Sequence, residues 1–341
     1  MHTPAKPPDA DPCLLLRVEN LSKAFPLYAN GFWQRHVATV RAVNDVSFDV
    51  LAGETLGLVG ESGCGKTTLA RTILRALRPT AGHAWFHTTR GRDSTWVDLA
   101  AMPARRLKPL RTRMQMIFQD PFSSLNPRMT VGDIVAEPLK IHRLASASRR
   151  RDRVADMLQR VGLEDQHRSR YPHEFSGGQR QRIGIARALV MRPAFVVCDE
   201  AVSALDVSVQ AQVINLLADL QHEFGLTYLF VAHDLSVVQH ISDRIAVMYA
   251  GRIVELGPTD QVIHCPNHPY TKALLSAVPH PDPDVKMNVA LIGEVADLSA
   301  LPAGCAFHPR CPDCRPECRH RRPELRRLDP TSQVACHLFE T

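Results

Sequence analysis

The stretch LGLVGESGCGKTTLARTILRAL, residues 56–77, decides the fold. An apolar run ends in a glycine-rich turn, and apolar residues then recur at helical spacing, so the stretch predicts a strand, a loop and a helix. The turn matches G-x-x-x-x-G-K-[ST], a pattern whose backbone N–H groups surround phosphate oxygens, whose lysine reaches the β- and γ-phosphates and whose hydroxyl residue binds Mg²⁺. The residues of this predicted phosphate loop are Gly60, Glu61, Ser62, Gly63, Cys64, Gly65, Lys66, Thr67 and Thr68.

Two adjacent carboxylates follow a second apolar run, AFVVCDE, at residues 194–200. The run predicts a buried strand, and Asp199 is expected to emerge at its end, where a carboxylate can hold Mg²⁺ through water. Glu200 follows at once, and we predict that it is the general base for the attacking water. The pair therefore favours an enzyme that hydrolyses a nucleoside triphosphate.

The stretch FSGGQRQRIGIARAL, residues 175–189, predicts a second helix that begins at an anion-binding end. Ser176, Gly177 and Gly178 open the predicted helix, and Gln179 lies in its first turn. A single nucleotide does not need this helix and the phosphate loop from the same subunit. The sequence therefore predicts a head-to-tail dimer, in which each ATP lies between the phosphate loop of one subunit and the Ser-Gly-Gly segment of the other.

With these motifs together, residues 13–260 resemble the nucleotide-binding subunits of ATP-binding cassette (ABC) transporters. The resemblance implies that Gln119 senses Mg²⁺ and the membrane partner, that His233 contacts the γ-phosphate and that Phe25 stacks on adenine. It also implies that Asp206, in the segment SALD, reaches the nucleotide across the dimer interface. The predicted catalytic residues are Glu200, His233, Gln119 and Lys66, and the predicted Mg²⁺ ligands are Thr67, Gln119 and Asp199.

The expected fold class is α/β, a P-loop ABC cassette with a largely parallel core sheet, an antiparallel β subdomain and a helical subdomain at about residues 120–176. The length of 341 residues agrees with about two domains. We predict a disordered proline-rich segment at 1–12, the cassette at 13–260 and a cysteine-rich extension at 261–341.

Local patterns predict the elements within these domains. Alternating residues from 14 to 50 predict short strands, and residues 79–113 read as turns and short strands. A strand is expected at 115–118, and helices are expected to begin at Gly178 and Val209.

Composition excludes several other classes of protein. Lys and Arg number 41 against 35 Asp and Glu, and the net charge of +6 is too small to argue for nucleic-acid binding. We predict no nucleic-acid partner. No stretch of about 18 uncharged apolar residues occurs, which argues against a membrane span. The N-terminal residues lack the apolar run of a signal peptide. These observations predict a soluble, cytosolic protein, and the resemblance to ABC transporter subunits implies a peripheral position on the cytoplasmic face of the inner membrane.

Two further stretches, QDPFSSLNPR at 119–128 and NHPYTKALLSAVP at 267–279, resemble the oligopeptide/dipeptide permease branch of this family. The aromatic insertion around Gly31, Phe32 and Trp33 resembles the second ATPase subunit of that branch. The resemblance implies a heterodimer with a homologous ATPase, two membrane permease subunits and an extracytoplasmic binding protein. Short peptides are the implied substrate. Nickel or glutathione import, a soluble ABC ATPase without membrane partners and a module that holds ATP without turnover remain alternatives.

The tail GCAFHPRCPDCRPEC, residues 304–318, contains closely spaced cysteines. Disulfides are disfavoured in the cytosol, and four thiolates suit an iron–sulfur cluster or a tetrahedral Zn²⁺ site. The long spacing is unlike that of zinc ribbons, so we favour a [4Fe–4S] cluster over Zn²⁺. Free thiols that only pack remain an alternative, and Cys314 is an additional thiol that could replace one ligand. The four cysteines that match the spacing of the branch are Cys305, Cys311, Cys318 and Cys336.

Overall fold

A computed structural model describes residues 13–28, 36–90, 93–277 and 296–340. The segment predicted to be disordered, 1–12, and the aromatic insertion at 31–33 lie outside the described residues. The chain divides into two compact units. Unit 1 consists of residues 1–51, 56–101 and 232–341, and unit 2 consists of residues 52–55 and 102–231.

The strands of the described residues are numbered in chain order. They are β1 (Leu14–Tyr28), β2 (His36–Leu51), β3 (Thr55–Val59), β4 (Ala81–Arg90), β5 (Asp93–Asp98), β6 (Met114–Ile117), β7 (Phe195–Asp199), β8 (Thr227–Val231), β9 (Arg244–Tyr249), β10 (Arg252–Pro258), β11 (Arg326–Arg327) and β12 (Gln333–Val334).

The α-helices of the same residues are numbered likewise. They are α1 (Lys66–Ile73), α2 (Ala104–Leu110), α3 (Pro121–Ser124), α4 (Val131–Ile141), α5 (Ala147–Arg160), α6 (Gly177–Leu189), α7 (Val207–Phe224), α8 (Leu235–Ile241), α9 (Thr259–His264) and α10 (Pro269–Ser276).

Unit 1 contains an antiparallel sheet in the order β2-β1-β4-β5. Its first two strands are 15 and 16 residues long, so the prediction of short strands in this region was wrong. Several register shifts interrupt the pairing of β1 with β2, for example between Val18 and Leu21. Such bulges break the alternation of apolar and polar residues, which is why one long strand reads as several short ones.

A second group of strands in unit 1 carries the phosphate loop. The strands lie in the order β11-β12-β10-β9-β3, with β3 parallel to β9 and the other pairs antiparallel. All of β3 is buried. Helix α8 packs so closely on β3 that a Cβ on Gly57 would lie 2.2 Å from Cγ1 of Val238. Strand β12 pairs with β10, so the cysteine-rich tail continues the sheet that begins with the phosphate-loop strand.

Unit 2 contains the parallel strands β6-β7-β8, with β7 and β8 entirely buried, as expected for a parallel sheet. Helix α6 contacts α4, α5 and α7. Helices α6 and α7 begin at Gly177 and Val207, one and two residues before the predicted starts. Strand β6 ends at Ile117, which leaves the predicted site residue Gln119 in the segment that follows.

Three helices are absent from the sequence prediction. Helix α2 lies where turns and short strands were expected, and α9 and α10 lie where no helix or strand was predicted. Helices α2 and α10 are short and contain a proline, at Pro109 and Pro269. Proline normally indicates a turn, although it fits the first position of a helix, where Pro269 stands.

Candidate functional site

The predicted phosphate loop joins β3 to α1, in the strand–loop–helix order that its sequence predicts. Its backbone requires glycine, because Gly60 has φ +153° and Gly65 has φ +111°. A Cβ at these positions would lie 2.2 Å from the carbonyl oxygen of Met248 and 2.0 Å from that of Ala42. The loop is therefore tightly enclosed by backbone, which fixes the direction of its N–H groups.

Lys66, the first residue of α1, points back into this loop. Its Nζ donates hydrogen bonds to the carbonyl oxygens of Gly60 at 2.7 Å and Glu61 at 2.9 Å. Only 4% of Lys66 is exposed, so the ammonium is held inside the loop at the N-terminal end of a helix. A bound phosphate can exchange these carbonyl contacts for charge-assisted ones.

Cys64 in the same loop is 3% exposed. Burial raises the pKa of its thiol, and the nearby Lys66 charge opposes that rise without cancelling it. A protonated, buried thiol behaves as a small apolar side chain. Cys64 therefore fills space in the loop.

Side chains from the C-terminal part of unit 1 hold the loop from outside. The guanidinium of Arg310 donates to both carboxylate oxygens of Glu61, at 2.8 and 2.9 Å, and the Tyr270 hydroxyl accepts from the Glu61 N–H at 2.8 Å. Sequence reasoning missed both residues. The ion pair joins positions 249 apart, and a single sequence carries no signal that links them.

Two more predicted site residues lie in unit 1. His233 is exposed and follows Ala232, whose N–H donates to the carbonyl of Leu58 in the phosphate-loop strand at 3.1 Å. Phe25 lies in β1 opposite Val40, with a partly exposed ring. The Nζ of Lys23 lies 4.7 Å from the centre of this ring.

The remaining catalytic predictions fall in unit 2. Asp199 ends β7 and is 1% exposed. The amide Nε2 of Gln119 donates to the Glu200 carboxylate at 2.7 Å, so two residues separated by 81 positions are in direct contact. Glu200 has φ +48°, a left-handed conformation that costs a non-glycine residue about 1–2 kcal/mol. Its N–H donates to the Val231 carbonyl and its own carbonyl accepts from the Ser203 hydroxyl, and these contacts hold it there.

The Ser-Gly-Gly segment forms the N-terminal end of α6. Ser176 and Gln179 form a capping box, in which each side chain accepts a hydrogen bond from the backbone N–H of the other residue. Ser176 is exposed, while the neighbouring Phe175 is 5% exposed and anchors the segment. A Cβ on Gly178 would lie 2.5 Å from Cγ1 of Val209, so a larger residue would displace the start of the helix.

The segment predicted to lie at a dimer interface leads into α7. Asp206 is exposed, stands immediately before α7 and makes no side-chain hydrogen bond to its first turn. The next residue, Val207, is 82% exposed.

The donors of the predicted Mg²⁺ site are chemically suitable. Thr67, Asp199 and Gln119 offer hydroxyl, carboxylate and amide oxygens, the hard ligands that Mg²⁺ prefers. Asp199 is almost completely buried at the end of β7. Thr67 lies in unit 1, and Asp199 and Gln119 lie in unit 2.

The four tail cysteines influence one another, but they do not form a metal site in this structure. Burial raises the pKa of Cys305 and of Cys311 to about 11, and the charge of Cys336 adds to both rises. Burial also raises the pKa of Cys336 itself. Across the described ranges, which include all four cysteines, no three His, Cys, Asp or Glu residues form a group that could hold a metal ion. The predicted [4Fe–4S] cluster therefore has no support in this arrangement.

Comparison with known proteins places these features in a family. The family profile described as "ABC transporter" matches residues 43–203, and the profile described as "Oligopeptide/dipeptide transporter, C-terminal region" matches residues 254–318. A probable peptide ABC transporter ATP-binding protein, y4tS, from Sinorhizobium fredii is 51% identical over 95% of this chain and 90% of its own length. The oligopeptide transport ATP-binding proteins AppF of Bacillus subtilis and OppF of Escherichia coli are 49% and 51% identical, covering 95% and 92% of this chain and 97% and 92% of their own.

Solved structures agree with the sequence relatives. The dimeric structure of MJ0796, a bacterial ABC transporter cassette, matches with a TM-score of 0.61 and 26% identity, over 72% of this chain and 99% of its own. The post-hydrolysis dimer of the same cassette, bound to ADP and Pi, matches with a TM-score of 0.60, 26% identity and the same coverage. None of the helices in the described residues is both long and apolar enough to cross a membrane.

Proposed function

The chain belongs to the ABC transporter family, and from this premise we propose that it hydrolyses ATP to power the import of short peptides across a membrane. The observation that carries the proposal is the combination of an ABC transporter match at residues 43–203 with a C-terminal region of the oligopeptide/dipeptide type at residues 254–318. The relatives named for peptide transport extend over nearly the whole chain.

In the proposed site, the phosphate loop and Lys66 bind the β- and γ-phosphates, and Phe25 stacks on the adenine. Thr67, Asp199 and Gln119 would hold Mg²⁺, which would balance the charge of the phosphates when bound. The exposed imidazole of His233 contacts the γ-phosphate. These roles are supported by the loop geometry, the buried carboxylate at the end of β7 and the hydrogen bond that places His233 next to the phosphate-loop strand.

Glu200 is proposed as the general base. Its carboxylate accepts from Gln119 at 2.7 Å, and it must be released from this amide to take a proton from the attacking water. The contact suggests a resting state in which Gln119 is hydrogen-bonded to the Glu200 carboxylate. Nucleotide binding would then draw the Gln119 amide away from it.

We propose that two such subunits act as a head-to-tail dimer with a homologous ATPase as partner. The exposed Ser176 at the N-terminus of α6 is available to the nucleotide of the other subunit. Asp206 and the exposed Val207 would lie in the contact between the subunits.

A second exposed surface would meet the membrane permeases. Phe118 and Phe122, which flank Gln119, are 42% and 62% exposed. The guanidinium of Arg180 lies 4.2 Å from the ring centre of Phe122, and that of Arg187 lies 5.7 Å from that of Phe118. Apolar rings next to a nucleotide-sensing glutamine could transmit its movement to a membrane subunit, and the protein would then act at the cytoplasmic face of the inner membrane.

A [4Fe–4S] cluster at the tail cysteines, with Zn²⁺ as the alternative, stays a prediction. The spacing of the cysteines suggested it, and the absence of a three-ligand group among the described residues argues against it. Iron, sulfide and zinc analysis of anaerobically purified protein tests it. A colourless protein without iron or zinc would contradict both metals, and no step proposed above depends on these thiols.

Reconstitution tests the proposed function. The chain is assembled in proteoliposomes with its partner ATPase, two permeases and a binding protein, and uptake of a radiolabelled tripeptide is measured with and without ATP. We expect ATP-dependent uptake that Lys66→Ala abolishes. Uptake of nickel or glutathione but not of peptides would contradict the proposed substrate, and ATP hydrolysis without any association with permeases would favour a soluble ATPase.

A further inference from the structure

The contacts around Glu61 point to a role in the nucleotide site for the C-terminal module, which is the cysteine-rich extension at residues 261–341. Glu61 is the second residue of the phosphate loop, and its side chain is 16% exposed. A carboxylate in this position would repel the phosphates of ATP if it were left unpaired. Arg310, whose side chain is only 5% exposed, pairs with both of its oxygens.

The pair is built for a fixed geometry. A guanidinium fork that meets a carboxylate with two hydrogen bonds defines orientation as well as distance. The hydrogen bonds to Glu61 raise the pKa of Arg310 further, so it stays charged. Arg310 ends a short 3₁₀ turn, His308–Arg310, and is followed by Cys311. Arg310 therefore belongs to the C-terminal module.

Tyr270 holds the same loop residue by its backbone. The hydroxyl accepts from the Glu61 N–H at 2.8 Å, and the ring is fully buried. Burial raises the pKa of Tyr270, which keeps the hydroxyl protonated. The ring packs against Tyr249 at 4.6 Å and Phe307 at 5.4 Å between centres, so the hydroxyl has a rigid support.

Glu61, which is held in this way, also contacts the predicted catalytic lysine. The carbonyl of Glu61 accepts from Lys66 Nζ at 2.9 Å. Each polar group of Glu61 is therefore hydrogen-bonded. The side chain accepts from Arg310, the N–H donates to Tyr270 and the carbonyl accepts from Lys66. A shift of Glu61 would move the ammonium that must meet the β- and γ-phosphates.

We propose that Arg310 and Tyr270 are positioning residues for ATP binding, through which the C-terminal module neutralises Glu61 and holds the phosphate loop ready for the nucleotide. A loop that is already ordered loses less entropy when it binds. The inference rests on the proposed function in one respect, that the phosphate loop binds ATP. It assigns to the C-terminal region a direct part in the nucleotide site.

The test compares ATP affinity and steady-state kinetics in four full-length variants. Arg310→Met removes the ion pair, Arg310→Lys keeps the charge without the fork, and Tyr270→Phe removes only the hydroxyl. Arg319→Met is the matched control, because Arg319 is an exposed arginine of the same module. ATP dissociation constants are measured by calorimetry below the unfolding temperature of each variant, and KM and kcat are measured in the reconstituted complex.

We expect ATP binding to weaken about tenfold in Arg310→Met, which corresponds to about 1.4 kcal/mol. Arg310→Lys should recover part of the loss, Tyr270→Phe should weaken binding about threefold, and Arg319→Met should match the wild type. KM for ATP should rise with kcat nearly unchanged, whereas a merely structural role would lower the unfolding temperature and leave the dissociation constant of the folded protein unaltered.

Two outcomes distinguish a failure of the positioning role from a failure of the proposed function. If the wild type binds ATP and Arg310→Met and Tyr270→Phe bind it equally well, the positioning role is wrong. If the wild type itself does not bind ATP, the proposed function fails before the inference is reached. Should Arg310→Met not fold, Tyr270→Phe decides alone, because it preserves the ring and the ion pair.

Discussion

Acidification should weaken the fold through one buried histidine, His268. The residue is 1% exposed, and its Nδ1 accepts from the N–H of Tyr270 at 3.0 Å. Burial lowers the pKa of His268 to about 3, although a hydrogen bond to the backbone of Ala335 acts in the opposite direction. Protonation of Nδ1 would end the bond from Tyr270 and place an unpaired charge in the core.

The size of the effect follows from the two pKa values. An unfolded histidine titrates near 6.5, so between about pH 6.5 and 3 the unfolded chain binds the proton that the folded chain excludes. The free energy of unfolding therefore falls with decreasing pH over this range, by up to about 1.4 kcal/mol per pH unit. Between pH 7 and 5 the loss from this group alone amounts to about 2 kcal/mol.

The assay compares the wild type with His268→Asn in urea at pH 7, 6 and 5. Asparagine keeps a side-chain acceptor at the start of α10 but does not titrate. We expect the wild type to lose about 2 kcal/mol more than the variant between pH 7 and 5. NMR of histidine-labelled protein, with the His268 signal identified by its loss in the variant, should show no titration above pH 5. Equal pH dependence of the two proteins, or a His268 signal that titrates near pH 6.5, would refute the reasoning.

Three further predictions test the proposed site. Glu200→Gln should reduce ATP hydrolysis at least about 100-fold, because it removes the general base, and should trap the ATP-bound dimer on size exclusion; undiminished ATPase activity would contradict the assignment. Gly178→Val should abolish hydrolysis while the monomer still binds ATP, because the new side chain would collide with Val209, whose Cγ1 lies 2.5 Å from the Cβ position. A fully active variant would show that the start of α6 does not contact the nucleotide. Phe25→Ala should weaken ATP binding by about 1–3 kcal/mol through lost stacking, and Phe25→Trp should bind normally; equal calorimetric affinity of the alanine variant would place adenine elsewhere.

The sequence predicted the parts of the fold that depend on local spacing. The strand, loop and helix around Lys66 came from a glycine pattern whose geometry is enforced within a few residues, and Gly60 and Gly65 have the backbone angles that only glycine adopts easily. The buried strands β7 and β8 are continuous apolar runs, which is typical of parallel sheets. Elements with interrupted patterns, such as the bulged strands β1 and β2, were misjudged in length.

Long-range contacts of the site could not be predicted in the same way. Gln119 and Glu200 were both named, but their hydrogen bond depends on how β6 and β7 pair. Tyr270 and Arg310 were not named at all, because each is unremarkable in its own stretch and gains its role only by meeting Glu61. Cysteine spacing likewise suggested ligands without giving the arrangement of the thiols.

The long separation between Glu61 and Arg310 also has a consequence for protein synthesis. The ribosome makes Glu61 early, and the arginine that pairs with its carboxylate follows 249 residues later. At roughly 5–20 residues per second, about 12–50 seconds pass between the two. During that interval the phosphate loop has its glycines and its lysine but not its arginine. A growing chain would therefore gain full affinity for ATP only after Arg310 has been made and the residues around it have folded.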